Sequence, residues 1–182
     1  MDAKHLLRTQ LKHLERTMRG HDFSLEDEAS CRALLSSTLY QTAQWIFAFH
    51  PLDSEVNILP VLEDARKHKH LALPVCMADG TMQFHPFDPQ QDMHKSALGI
   101  LEPERTHEVF PDHTTLLIIP AMAYTKFHER LGRGKGYYDR YLSVWRDAAT
   151  LGICRSHQLQ NALPLQAWDM QVDKVLCNGV FY

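Results

Sequence analysis

Leu116-Leu-Ile-Ile119 is the feature that most narrows what this chain can become. Four branched apolar residues in a row leave no polar face, so a strand built from them needs cover on both sides. The flanking patterns supply that cover. Leu7, Leu11, Leu14 and Met18 recur at helical spacing and predict an amphipathic first helix whose other face is basic. Ser24, with Asp27 three residues on, predicts the start of a second helix that runs through Cys31, Leu34 and Leu35 to about Tyr40. Asn57 can cap a third, carrying Ile58, Val61, Leu62 and Ala65 as far as His70, and Tyr137–Trp145 reads as a fourth. Between them, Trp45–Phe49, Leu71–Val75, Met82–Phe84, Thr150–Cys154 and Lys174–Cys177 read as strands. Asp79–Asp112 is turn-rich. Strands alternating with helices predict an α/β fold, a layered α/β/α single domain over residues 1–182 with a mostly parallel or mixed central sheet.

Composition removes several classes of function. With 45% hydrophobic and 23% charged residues among 182, the chain is too apolar for disorder. Its longest nearly apolar run, Leu116–Ala123, falls far short of the ~20 residues that cross a bilayer. Lys4, Arg8, Lys12, Arg16 and Arg19 leave no apolar stretch for a secretory signal, so a soluble, cytoplasmic protein is expected. A net charge of −3 excludes a globally basic nucleic-acid binder. Cys31, Cys76, Cys154 and Cys177 form no CxxC pair and read as reduced thiols. The 12 histidines include no HExxH and read mostly as surface residues.

Chemistry concentrates in Arg130-Leu-Gly-Arg-Gly-Lys-Gly-Tyr-Tyr-Asp-Arg140. Gly132, Gly134 and Gly136 let the backbone approach a ligand, while Arg130, Arg133 and Lys135 bring three positive charges into the same window. A helix expected to start near Tyr137 adds free N–H groups that favour anions. Together these parts make a cradle for polyphosphate. The loop is not a GxxxxGK[ST] sequence, because it has no hydroxyl to hold Mg²⁺, but Asp139 could fill that place. Spacing alone leaves two other readings open: a solvated basic turn, or an RNA-binding loop in which Tyr137 and Tyr138 stack on bases.

The residues of this stretch resemble the signature of the 5-formyltetrahydrofolate cyclo-ligase family, also called methenyltetrahydrofolate synthetases. The likeness continues along the chain. Lys4 with Arg8 is similar to the family's N-terminal Lys-x-x-x-Arg, and Phe49-His-Pro-Leu-Asp-Ser-Glu-Val56 to its folate-meeting strand end. Leu98-Gly-Ile-Leu-Glu-Pro103 and Trp168-Asp-Met-Gln-Val-Asp-Lys-Val175 resemble two further elements. Ala121, where the family usually has Gly, and the turn Lys126-Phe-His-Glu129 depart from the pattern, as does His50 at a variable position.

The resemblance implies ATP-dependent closure of 5-formyltetrahydrofolate to 5,10-methenyltetrahydrofolate, with release of ADP and phosphate. It implies that Lys4, Arg8, Arg130, Leu131, Gly132, Arg133, Gly134, Lys135, Gly136, Tyr137 and Tyr138 line ATP. It implies that His50, Glu55, Arg133, Gly134, Lys135, Gly136 and Tyr137 face the folate, with Arg133 and Lys135 acting on the moving phosphoryl group. Asp139 and Asp173 match its Mg²⁺ positions, and Glu102 either contacts substrate or closes a turn. The expected partners are these small molecules, not a nucleic acid or a membrane. The alternative is a nucleic-acid-binding module that uses the basic first helix and the Gly-rich loop.

Overall fold

The computed structural model describes residues 2–87, 93–95 and 101–182. Its elements in chain order begin with helices α1 (Ala3–Thr17), α2 (Ser24–Ser36) and α3 (Thr38–Thr42), then strand β1 (Trp45–Phe47), helix α4 (Leu59–His68) and strands β2 (His70–Cys76) and β3 (Met82–Pro86). Two short strands, β4 (His94–Lys95) and β5 (Leu101–Glu102), precede β6 (Thr115–Ile119), β7 (Ala123–Thr125) and β8 (Arg130–Leu131). Helix α5 (Tyr137–Val144), β9 (Ala149–Cys154), β10 (Leu159–Gln160), β11 (Lys174–Cys177) and β12 (Val180–Phe181) complete the chain.

The main sheet has seven strands in the order β12-β11-β9-β6-β1-β2-β3. Its five inner strands run parallel, and the edges β3 and β12 pair antiparallel. Strand β6 lies at the middle, and every one of its residues is buried. Alternate side chains explain why the run must be wholly apolar. Leu116 and Ile118 join Ile46, Leu73, Leu151 and Leu176 under α2, α3 and α4. Leu117 and Ile119 join Phe47, Phe84 and Val175 on the opposite face, under Tyr141 and Leu142 of α5. A second sheet, β10-β7-β8, covers the rest of that face and carries α1, whose Leu11 packs on Met122, Ala123 and Leu131.

Several expected boundaries move. The second helix does not reach Tyr40: Ser37 is extended, and its hydroxyl accepts the Tyr40 N–H to start α3. Such side-chain bonds compete with helix continuation. The third helix begins at Leu59 with Pro60 in its first turn, while the Asn57 side chain accepts the Leu59 N–H. The strand expected over Trp45–Phe49 keeps its ladder only to Phe47. The histidines are not all on the surface, since His85 is buried. Leu98, Gly99 and Ile100 of the fourth family-like element lie outside the described residues.

Candidate active site

Phe49 and His50 beyond β1, Pro74 and Cys76 on β2, and Pro120 and Ala121 beyond β6 open onto one cavity of about 770 Å³ at the carboxyl ends of the parallel strands. Ligands of parallel sheets sit at that end. The remaining wall comes from α1, Leu52 and Glu55, Met82 of β3, Glu102 of β5, the 130–140 loop with the start of α5, and the segment Gln166–Asp169.

The loop is fixed by its own charges. Arg140 donates to the Gly80 carbonyl through Nε (3.1 Å) and Nη2 (2.5 Å), and Nη2 also reaches the Lys135 carbonyl at 2.8 Å. The turn this holds needs a left-handed Gly136, with φ +71°, directly before α5. On the other side Arg8 Nε donates to the Gly132 carbonyl at 2.9 Å. Arg130 is buried, bonded through Nη2 to Asp139 Oδ1 at 2.5 Å and set over the Tyr138 ring. Its Nε is buried without a protein partner. The Lys135 side chain is exposed and lines the same space.

Glu55 faces this loop across the cavity. Its carboxylate is buried; Oε2 accepts the Leu52 N–H at 3.0 Å and Oε1 accepts Arg133 Nη2 at 3.1 Å. The same Nη2 reaches the Ser54 hydroxyl at 3.1 Å. Arg133 therefore spans the glycine loop and the strand-end loop. Burial holds the Tyr138 phenol above its ordinary pKa, and the negative charge of Glu55 adds to that. Burial also lowers the pKa of His50, favouring the neutral ring. The Cys76 thiol is pushed up to about 11, first by burial and then by Glu102, so it is no nucleophile near neutral pH. Glu102 itself is buried on the wall and accepts the Cys76 N–H at 3.3 Å.

Every residue expected to meet ATP or folate lines this one cavity: Lys4, Arg8, His50, Glu55 and Arg130 through Tyr138. The Leu131 side chain is itself buried with Leu11, so this residue offers backbone. Asp139 is there as well, but Asp173 is not. The Asp173 carboxylate accepts the Thr150 N–H and hydroxyl, both at 2.7 Å, near the start of β9 and away from the strand ends that form the cavity. The acidic residue brought to the wall from that segment is Asp169, which pairs with Lys4, and Gln166 accepts from the same ammonium at 3.0 Å. Asp139 is already engaged by Arg130 and by the Met170 N–H at 3.3 Å. Among the described residues no three His, Cys, Asp or Glu side chains gather as metal ligands. The two aspartates thus do not make a joint magnesium site.

Sequence reasoning missed Arg140, Gln166, Trp168 and Asp169 as wall residues. Glu15 of α1, which is not part of that wall, has a buried Oε1 without a hydrogen bond. Burial raises its pKa, the nearby Arg133 opposes that rise, and Glu55 adds to it. Its position along α1 puts it on the same helical face as Lys4, Arg8 and Leu11.

A model of the 5-formyltetrahydrofolate cyclo-ligase family matches residues 1–178. The 5-formyltetrahydrofolate cyclo-ligase of Escherichia coli (strain K12) is 31% identical over 141 residues, 74% of this chain and 78% of that protein. Its namesake in Haemophilus influenzae is 23% identical over 177 residues, 93% of this chain and 95% of the other. The NMR structure of Aquifex aeolicus 5,10-methenyltetrahydrofolate synthetase superposes with a TM-score of 0.85 at 26% identity, covering 99% of this chain and 92% of that one. A 5,10-methenyltetrahydrofolate synthetase from Mycoplasma pneumoniae shares the fold, with a TM-score of 0.72 at 24% identity over 97% of this chain and 98% of the other.

Proposed function

Because the chain belongs to the 5-formyltetrahydrofolate cyclo-ligase family, we propose that its cavity closes 5-formyltetrahydrofolate to 5,10-methenyltetrahydrofolate, using ATP and releasing ADP and phosphate. One observation carries the reading: a cationic glycine loop and a buried carboxylate face each other in a single cavity, joined by Arg133.

The chemistry sets two demands. The formyl group is an amide, so its carbon is a poor electrophile and its oxygen a poor leaving group. Transfer of the γ-phosphoryl to that oxygen gives an imidate-like phosphate. N10 then attacks the formyl carbon within the same molecule and gives up its proton, and the C–O bond breaks as phosphate departs. The phosphoryl must therefore be held in line with the formyl oxygen, and its charge must be neutralised as it moves.

Arg133 and Lys135 answer the second demand, with the loop N–H groups on the phosphates. Lys4 and Arg8 close the nucleotide side from α1. Glu55 answers the first by accepting N–H groups of the pterin, beside His50. The unshared charge of Lys135 makes it the group to remove. Asp139 and Asp173 do not come together, so neither has a role as a joint Mg²⁺ ligand. The substrates are small molecules, and the four free cysteines suit a reducing cytoplasm. None of the described helices is long and apolar enough to cross a membrane.

Absorbance of the methenyl chromophore tests the proposal. It should grow when protein, ATP, Mg²⁺ and 5-formyltetrahydrofolate are mixed, and stay flat when either substrate is withheld. Lys135→Ala, an exposed change that spares the fold, should lower kcat/KM by on the order of 10²-fold. Absence of the chromophore in the complete mixture rejects the activity. Unchanged kinetics in Lys135→Ala reject the assignment of the loop.

A further inference from the structure

Beneath the loop that presents Glu55 lies a buried ionic network that the chemistry above does not use. Arg155, just past β9, is buried, and so is its partner Asp27 in the first turn of α2. Arg155 Nε and Nη2 meet the two oxygens of Asp27 at 2.9 and 2.8 Å, and the guanidinium lies 4.2 Å from the centre of the Phe23 ring. The remaining contacts converge on one short segment. Arg155 Nη1 donates to the Asp53 carbonyl at 3.0 Å, and Asp27 Oδ2 accepts the Asn57 N–H at 3.1 Å. Gln158 accepts the Arg155 N–H at 2.9 Å and turns its amide toward the Ala121 and Ser54 carbonyls at 3.4 and 3.5 Å.

A buried ion pair is a poor stabiliser, because the attraction between its charges barely recovers their lost hydration. What this pair does that an apolar pair would not is fix backbone groups on both sides of Glu55. We propose that Arg155 is a positioning residue for the folate wall: held by Asp27, it sets the 53–57 backbone and through it the direction of the Glu55 carboxylate. The inference rests on the reading of Glu55 as the pterin acceptor. Binding groups must be held within a fraction of an ångström by the residues behind them. Here the backing comes from α2 and the residue just past β9, and Cys31 of α2 adds a bond from its thiol to the Asn57 carbonyl at 3.3 Å.

Arg155→Lys is the sharpest test. Lysine keeps the charge opposite Asp27 but lacks the planar fork, so the bond to the Asp53 carbonyl is lost. Its expected signature is a folate KM raised roughly 10-fold with an ATP KM changed less than about 2-fold. In a Glu55→Gln background the same substitution should add nothing, because both changes act through one carboxylate. A merely structural role predicts instead that both KM values rise together and that the effect persists beside Glu55→Gln. Should Arg155→Lys fail to fold, Asp27→Leu/Arg155→Met leaves no lone buried charge and is judged by the same criteria. A folded variant with unchanged folate KM overturns the inference, as does a parallel rise in both constants. If Glu55→Gln alone leaves the folate KM unchanged, the reading of the wall falls and this inference with it. If Glu55→Gln raises it and Arg155→Lys does not, the inference alone falls.

Discussion

Replacing Gly136 by alanine should damage the nucleotide loop by two separable routes. The first is local: at φ +71° a side chain meets its own backbone, a strain of about 1–2 kcal/mol. The second is a collision, because a Cβ there would lie 2.7 Å from Arg140 Nη1. Arg140 must swing away and give up its bonds to the Gly80 and Lys135 carbonyls. These bonds are exposed, so losing them costs about 1–2 kcal/mol in all. Gly80→Ala isolates the first route. Its φ of +86° imposes the same strain, but the added Cβ makes only ordinary contact, 3.5 Å from Arg140 Nη2. Urea unfolding should therefore show Gly136→Ala less stable than Gly80→Ala by about 1–2 kcal/mol. Steady-state kinetics should show a larger split. With the Lys135 carbonyl released, the cation beside it wanders, and kcat/KM for ATP should fall roughly 10- to 100-fold in Gly136→Ala alone. Arg140→Met should reproduce that kinetic loss without the strain. Equal stability of the two alanine variants, with unchanged ATP kinetics in both, would refute the argument that Arg140 shapes the loop.

Two further outcomes follow from groups outside the cavity. Asp173→Asn should lower stability by about 1–2 kcal/mol through its bonds to Thr150, while the Mg²⁺ concentration for half activity stays put. A shifted Mg²⁺ titration would return Asp173 to the metal. Buried His85 has its pKa lowered, chiefly by burial, with Glu108 opposing and Arg105 and His107 contributing smaller effects. The unfolded chain therefore binds the proton more readily just below the ordinary value of 6.5, so stability is full above that pH and is lost as pH falls toward the folded pKa. Melting temperature followed from about pH 8 to pH 5 should drop below about 6.5 with a contribution of at most ~1.4 kcal/mol per pH unit from His85, and His85→Leu should flatten the slope. An identical slope in that variant would show that the acid sensitivity lies elsewhere.

The sheet was legible because its signals are local and redundant. An apolar run such as Leu116–Ile119 has one structural solution, and helices with periodic faces flank it. The short strands were not: β7, β8 and β10 hold two or three residues each, too few for any period to show. Within the site, the loop could be read because glycines and cations are adjacent in sequence. Glu55, Lys4 and Arg8 drew their meaning from the family likeness, since spacing gave them only a helix-start charge and a basic surface. Asp173 and Asp169 show where that likeness runs out. Both lie in the same family-like segment, and only the folded path decides that one binds Thr150 while the other reaches Lys4. Asp27 was read as a helix-start residue, which it is, but its partner Arg155 lies 128 residues away, beyond any sequence pattern.

The clasp between Lys4 and Asp169 bears on how the molecule is born. Its halves are 165 residues apart, so the first helix leaves the ribosome long before anything exists to hold it. At ~5–20 residues per second, that wait is on the order of ten to thirty seconds. Through it α1 can rest on β7 and β8 by Leu11, but the wall it contributes stays unlatched until the chain is nearly finished. Latching of the cavity is thus among the last events of synthesis, alongside the arrival of β11 and β12, which finish the main sheet. A nascent chain stalled before residue 169 would own five of the sheet's seven strands but not a closed site.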